Sequence, residues 1–555
     1  MRILTVFLFF CVLLPPAASL ADEFAESRLD SGIRNSEVSS YLLLQDSEAK
    51  GSQAATLLRR ASAYSPDLPA VHFALAKATF SLNYSGILDS IDHLVSGLNA
   101  YSKNFWWSFS LAGAAFLGLM VSFIVAIFVI VIIRAFNDLP LLSHEFAESR
   151  QNIALLLVLF LFSLISPLLF LAGILVLLGM YMSKIDRALV YFFLIFLVAS
   201  PFFLGAASKF LQVSSSGIMK AIVEVNESKD NTYALSALKS SDEPPALFSY
   251  GLALKRTGQY EEALAAYSNL IKTRADAAAF VNLGNIYLGQ NKMDEAAKSY
   301  HASLTLQPLA SAYYNLSQVY REGLDFEKGN EYFSKALQID RDAVTGYRAI
   351  SGRNPNRIVA DEVMPPSSLW AFAWKTPVKT ATFNLSVLPG WTISLVALLM
   401  IIAFYMMSNH AGNKAYRCRR CNQIFCPQCE KHIMWGQMCP QCFRSLIKLE
   451  EIEVKDRVAQ LLSIYEHQKQ RRDIMKLFSF IIPGSSQVYA GKVLYGFFFI
   501  WPFLFFLLFP LATSFMPPDA RGSHWVVNLA SLLIAVLLLI ISNVFTRQRI
   551  SKGWL

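Results

Sequence analysis

The sequence predicts a mainly α-helical, polytopic membrane protein that also carries a helical-repeat domain and a small cysteine module. Three observations predict it. Long charge-free apolar runs alternate with ordinary polar segments. Four residue positions recur at a 33-residue interval through three copies, and six of the seven cysteines fall between Cys418 and Cys442. Composition agrees, with 54% hydrophobic and only 16% charged residues, where a soluble chain carries about a quarter charged.

Residues 1–21 read as a signal peptide. Arg2 is the charged start, Ile3 to Leu14 the apolar core, and Ser19-Leu20-Ala21 a small-x-small cleavage site. An uncleaved anchor is the alternative. Cys11 follows the bulky Phe10 and does not fit a lipoprotein cysteine. Residues 22–104 are polar and expected to form a helical extracytoplasmic domain. Ala61, Pro66, Leu75 and Ala76 there stand where a degenerate helical repeat places small and apolar residues.

Residues 105–207 hold three apolar runs: Phe105 to Ile133, Ile153 to Met182 and Leu189 to Ala207. A fourth, Trp391 to Met407, lies within 385–408. Leu494 to Phe515 and Trp525 to Phe545 form a C-terminal pair within 477–546. A spanning helix needs about 20 apolar residues, which these runs reach or approach. Phe105-Trp106-Trp107 reads as an aromatic interface anchor. The runs carry no ionisable side chain, so the commonest mark of an ion-coupled transporter is missing.

The repeats occupy 216–350. Gly251, Gly284 and Ser317 share one register, as do Leu254, Tyr287 and Tyr320. Ala263, Ala296 and Gly329 share another, and Tyr267, Tyr300 and Phe333 a fourth. Small residues would let the two helices of a repeat approach closely, and the aromatics would fill the space between successive repeats. Gly258-Gln259-Tyr260 and Gln290-Asn291-Lys292 read as turns, and Pro308 closes the second copy. A period near 34 with these residue types marks a helix-turn-helix solenoid. The segment resembles the tetratricopeptide repeat (TPR) family, best at Asn282-Leu283-Gly284-Asn285-Ile286-Tyr287 followed by Asp294-Glu295-Ala296. The resemblance implies a concave groove for a protein or peptide partner. A rigid spacer is the alternative.

The module at 414–446 reads Cys418-x2-Cys421-x4-Cys426-x2-Cys429-x9-Cys439-x2-Cys442. A C-x-x-C turn sets two thiolates on one side of a metal, and tetrahedral zinc takes two such pairs. The order resembles treble-knuckle and cross-brace zinc modules, in which the first and third pairs share an ion. That resemblance implies a structural Zn2+ on Cys418, Cys421, Cys439 and Cys442. Cys426 and Cys429 are then a spare pair, with His432 as a third ligand to a second ion. Three disulfides or a redox-active pair are the competing readings. Basic residues around the module (Lys414, Arg417, Arg419, Arg420) and before the next span (Lys469, Arg471, Arg472, Lys476) read as juxtamembrane charge rather than a nucleic-acid surface. Residues 447–476 read as an amphipathic linker helix.

Phe480 to Lys492 contains Pro483-Gly484, then Gln487, Tyr489 and Gly491-Lys492, before a strongly aromatic span. This resembles small bacterial membrane hairpins of the TM2 family. Pro483-Gly484 should break a short helix and leave Gln487 and Tyr489 to meet the freed backbone groups.

Arg547, Arg549 and Lys552 direct the C-terminus to the cytoplasm, and with it, two spans back, the cysteine module. The TPR region then faces the periplasm, as does 22–104 behind its signal. An even number of crossings must separate those two regions, yet three runs intervene. Either Ile153 to Met182, interrupted by Pro167, turns back on itself, or the repeats are cytoplasmic. The expected function is a membrane-anchored protein–protein interaction scaffold in a bacterial inner membrane. A transporter or export-system accessory subunit and a zinc- or redox-responsive regulator are the alternatives. No Ser-His-Asp set, phosphate loop or paired carboxylates suggest an enzyme.

Overall fold

The computed structural model describes residues 33–50, 53–146, 152–229, 233–353, 359–378, 390–410, 415–418, 420–425, 438–440, 442–443, 454–516 and 524–552. The signal-like segment, Cys11, Cys426, Cys429 and His432 lie outside them.

The described chain is mainly helical. It begins with α1 (Glu37–Ala49), α2 (Ala54–Tyr64), α3 (Pro69–Thr79) and α4 (Tyr84–Lys103), then the long α5 (Phe105–Phe146). Next come α6 (Asn152–Ile165), α7 (Pro167–Gly179), α8 (Arg187–Val198) and α9 (Ser200–Gln212). A helical array comes after them: α10 (Gly217–Asn226), α11 (Ala234–Leu238), α12 (Pro244–Arg256), α13 (Tyr260–Thr273), α14 (Ala277–Gly289) and α15 (Met293–Leu306). It continues through α16 (Ala310–Glu322), α17 (Phe326–Ile339), α18 (Arg341–Arg353) and α19 (Pro366–Lys375). Helix α20 (Gly390–His410), the hairpin β1 (Tyr416–Arg417) and β2 (Ile424–Phe425), then α21 (Val454–Ile481), α22 (Ser485–Tyr489), α23 (Val493–Ser514) and α24 (Trp525–Ser551) complete it.

The chain forms two compact units. One joins Met1–Phe109 to Gln212–Val378, the other Ser110–Leu211 to Lys379–Leu555. In the first, helices pack in successive pairs: α1 with α2, α3 with α4, α12 with α13, α14 with α15, α16 with α17. Glycine makes the repeat pairs close. A Cβ on Gly251 would lie 2.8 Å from Tyr267 Cε2, and one on Gly284 2.5 Å from Tyr300 Cε1. The tyrosines therefore fill the space left by the glycine of their own repeat, not only the space between repeats. The turn positions Gly258, Asn291 and Leu324 share positive φ of 78°, 59° and 63°, so the register extends into the backbone. Leucine is costly in that conformation, which marks the third copy as degenerate.

The first unit closes on a buried charge. Lys229 Nζ lies 2.8 Å from Glu37 Oε1 and 2.8 Å from Glu227 Oε2. Glu227 also accepts from the Phe105 N–H, and Asn104 Nδ2 donates to Glu37 Oε1 at 2.8 Å. Asn35 and Lys229 form a parallel bridge.

Four helices among the described residues are long and apolar enough to cross a membrane: Phe105–Leu142, Trp391–Ser408, Val493–Ser514 and Trp525–Ser551. The pair Arg187–Val198 and Ser200–Ser215, bent by 59°, would make a fifth. The second apolar run instead breaks at Ser166, whose φ −161° and ψ 136° are extended, the conformation forced on a residue before proline. Ser166 Oγ caps the Leu168 N–H. A Cβ on Gly173 would sit 2.6 Å from Leu159 Cδ2. In a continuous helix those residues would stand about 21 Å apart, so α7 folds back on α6.

At the Pro483-Gly484 break, Gly484 has φ +86°, and a Cβ there would run into the Gly496 carbonyl. Serines after the break add hydrogen bonds to carbonyls before it. Ser485 Oγ donates to Phe478 O and Ile482 O at 2.6 and 2.7 Å, and Ser486 Oγ to Met475 O. Gln487 reaches Thr546 Oγ1 at 2.8 Å instead, and the Tyr489 carbonyl accepts from Asn137 Nδ2. Helix α5 runs past its apolar stretch to a buried pair, Arg134 and Asp138, 2.5 Å apart.

Gly284→Ala should lower thermal stability, because its methyl must displace a fully buried tyrosine; such overpacking costs about 1–3 kcal/mol. Gly346→Ala, where a Cβ meets nothing within 4 Å, should not. Thermal unfolding of both variants by circular dichroism checks this, and equal melting temperatures would contradict the packing described.

Candidate functional site

Two arrangements can carry function: the face of the repeats, and the cysteine cluster.

Ser249, Asn282 and Asn315 occupy one 33-residue register, on α12, α14 and α16. Their face is not bare, for the chain's own segment 359–364 crosses it. Asn315 Nδ2 donates to Ala360 O at 2.9 Å and its Oδ1 accepts from Ala360 N at 2.8 Å. One repeat earlier, Asn282 makes the same pair with Glu362 O and N, both 2.9 Å. Asn226, on α10, accepts from Met364 N at 2.7 Å and donates to Ser249 Oγ at 2.8 Å. The residues read are 360, 362 and 364, the period of two that an extended chain presents on one side.

The asparagines are held in place by the repeat tyrosines. Asn282 Nδ2 donates to Tyr267 Oη at 3.1 Å, and Tyr300 Oη donates to Asn285 Oδ1 at 2.7 Å. Asn285 Nδ2 in turn serves Ala360 O and Asp361 Oδ1, both 2.9 Å. Lys255 pairs with Asp361, and Ser311 Oγ donates to Glu362 Oε1. Burial holds the Glu362 carboxyl above the usual carboxylate range against that Ser311 bond, and Asp276 and Asp361 add to the effect. Burial likewise pushes the Tyr267 and Tyr300 hydroxyls well up, so both stay protonated. Each main-chain bond contributes about 1 kcal/mol net.

The cysteine reading singled out Cys418, Cys421, Cys426, Cys429, Cys439 and Cys442. Four of these come together. The Sγ atoms of Cys418, Cys421, Cys439 and Cys442 all lie within 4.8 Å of one another. The β1–β2 hairpin pairs Tyr416 with Phe425 and Arg417 with Ile424. Its turn places Asn422 at φ 67° and closes with Cys418 N donating to Gln423 O at 2.8 Å. Backbone amides point at the sulfurs: Cys439 N at Cys418 Sγ and Cys442 N at Cys439 Sγ, both 3.3 Å. Gln460 Nε2 of α21 reaches Cys442 Sγ at 3.5 Å. Burial works against a Cys418 thiolate, but backbone N–H groups of Cys421, Cys439 and Arg420 outweigh it and bring its pKa to about 7. Burial raises Cys439 to about 11.

The donor set fits a metal ion. Zinc–sulfur bonds of about 2.3 Å in a tetrahedron place sulfurs about 3.8 Å apart, and Cys421 and Cys439 Sγ stand 3.6 Å apart. Four thiolates fill a tetrahedron and leave no open position for substrate.

The sequence reading missed Asn226, Asn282, Asn285, Asn315, Lys255 and the segment at 359–364. The shared register of Ser249, Asn282 and Asn315 was the available signal.

The family profile described as Tetratricopeptide repeat matches residues 248–311 and again 281–344. Two crystal structures of MamA are similar to this chain. One is 18% identical, with a TM-score of 0.20, over 26% of this chain and 94% of that one. The other is 19% identical, also at 0.20, over 25% and 83%. No curated protein matches the chain.

Protein purified under reducing conditions should carry bound metal, and Cys439→Ser should lose it. Elemental analysis of wild type and variant checks this. A metal content unchanged by the substitution would separate the metal from this cluster.

Proposed function

We propose that this chain is a membrane-anchored scaffold that binds a protein partner through its repeats. The observation that carries the reading is the asparagine ladder, set at the period of the repeats and matched to the period of an extended peptide. A four-thiolate set would leave a bound ion no open position for substrate, which accords with a binding role.

Membrane anchoring rests on the apolar helices. The segment before α5 and the segment after α9 belong to one compact unit, so an even number of crossings should lie between them. Helix α5 and the bent pair α8–α9 supply two, and the fold-back of α6 and α7 supplies none. Adding α20, α23 and α24 makes five crossings. Basic residues Arg547, Arg549 and Lys552 then hold the C-terminus and the cysteine module in the cytoplasm, and the repeats face the periplasm of a bacterial inner membrane. A reducing cytoplasm favours thiolates over disulfides. In this reading Cys418, Cys421, Cys439 and Cys442 hold a structural zinc, and Cys426 and Cys429 stand as the spare pair.

The test is partner recovery by the full chain after chemical cross-linking in cells. A partner enriched with wild type should fall about tenfold or more with Asn282→Ala plus Asn315→Ala, since two hydrogen-bonding pairs are lost. Identical recovery by wild type and variant would sink the groove-scaffold reading.

A further inference from the structure

The face that should receive a partner is already filled by segment 359–364. We propose that this segment is a resident, exchangeable ligand, and that the partner of the groove is an extended peptide with adjacent acidic residues, which takes the segment's place. The proposal rests on the scaffold reading and adds the chemistry of the partner to it.

Recognition here runs through the main chain. Asn315 takes both the N–H and the C=O of Ala360, and Asn282 both of Glu362. Any extended segment presents the same donors and acceptors at the same spacing. The side chains are read mainly by charge. Lys255 pairs with Asp361, Asn285 Nδ2 donates to the same carboxylate, and Ser311 donates to Glu362. A peptide with two neighbouring acids would satisfy these groups, and one with basic residues there would face Lys255.

The segment is held by polar contacts more than by apolar burial. The Asp361 carboxylate is itself buried, but of the apolar residues in 359–364 only Ala360 is fully buried; Val359 and Met364 pack half-buried against the repeat cores, and Val363 is 36% exposed. Polar contacts can be handed one for one to an incoming strand, because each lost bond is replaced by an equivalent one. A deeply buried aromatic anchor could not be exchanged in this way.

The segment lies between α18, which ends at Arg353, and α19, which begins at Pro366. Being tethered at both ends, it competes at a high effective concentration. The apparent affinity for a partner is then reduced by the fraction of chains whose groove is empty. A change that weakens the segment's hold raises partner binding without altering the groove.

The experiment uses the full chain in detergent and a fluorescein-labelled synthetic peptide copying residues 357–367 as the probe. Asp361→Lys weakens the resident segment and leaves the groove residues intact. It should bind the probe about tenfold or more tightly than wild type, and adding Asn282→Ala and Asn315→Ala should abolish that gain. A probe with lysine in place of both acids should bind neither protein. A measurement free of substitution accompanies this. Saturating probe should speed hydrogen exchange of the wild-type segment 359–364 about tenfold or more, as displaced amides lose their partners. Equal affinity for wild type and Asp361→Lys, no binding to either, or unchanged exchange at saturation would each make the segment a fixed part of the fold and overturn the proposal. The scaffold reading fails separately, through partner recovery indifferent to the groove asparagines.

Discussion

Lys229 is a buried cation between two carboxylates, and much of this architecture hangs from it. Burial opposes its charge, but the attraction of Glu227 and Glu37 outweighs that and holds the ammonium above its ordinary range. Removing one partner of such a buried set costs about 3–5 kcal/mol. The three residues come from two distant parts of the chain. Glu37 opens α1, while Glu227 and Lys229 come just after α10. Asn104 and Phe105, at the start of the long apolar helix, are tied to the same carboxylates. The cluster therefore joins the helices before the first apolar stretch to the repeats beyond it, and in the proposed membrane reading it limits the crossings between them to an even number.

In the proposed membrane reading the apolar helices obey a second constraint. In hydrocarbon every main-chain donor and acceptor needs a partner within the protein, so each break in a helix must be compensated locally. Ser166 caps one break at the Leu168 N–H, and beside another Ser485 and Ser486 donate to carbonyls of the preceding helix. In the repeats the same logic runs in reverse. There, asparagines supply partners for a segment that forms no ladder of its own, and the repeat tyrosines hold two of those asparagines in position. The glycine that admits each tyrosine thus reaches the groove through two contacts.

Much of this was legible in the sequence. The 33-residue spacing located the repeats because close helix packing demands small residues at fixed intervals. The C-x-x-C spacing marked three thiol pairs, because a knuckle turn constrains its own sulfurs, and the resemblance to cross-brace zinc modules singled out the first and third, which converge. Pro167 marked the fold-back of the second apolar run. The groove was not legible, since Asn282 and Asn285 looked like parts of a packing motif, and segment 359–364 has no periodicity to betray a strand that pairs with side chains. At Pro483-Gly484 the break was legible and its partners were not. Gln487 and Tyr489 looked suited to the freed backbone groups, but Gln487 reaches Thr546 and the Tyr489 carbonyl accepts from Asn137. Residues 22–104 looked like a separate domain because their bond to the rest is a buried ion cluster, which leaves no pattern in sequence.

In the proposed reading the segments on either side of α5–α9 share one face of the membrane. The most direct test labels single cysteines with a membrane-impermeant maleimide in intact cells, in a background whose native cysteines are replaced. Leu82 and Leu306 are both exposed and lie on either side of those helices. The account predicts that cysteines at both positions label alike without permeabilisation, while one at Ser551 labels only after it. Labelling of one of the first two positions without the other would contradict it.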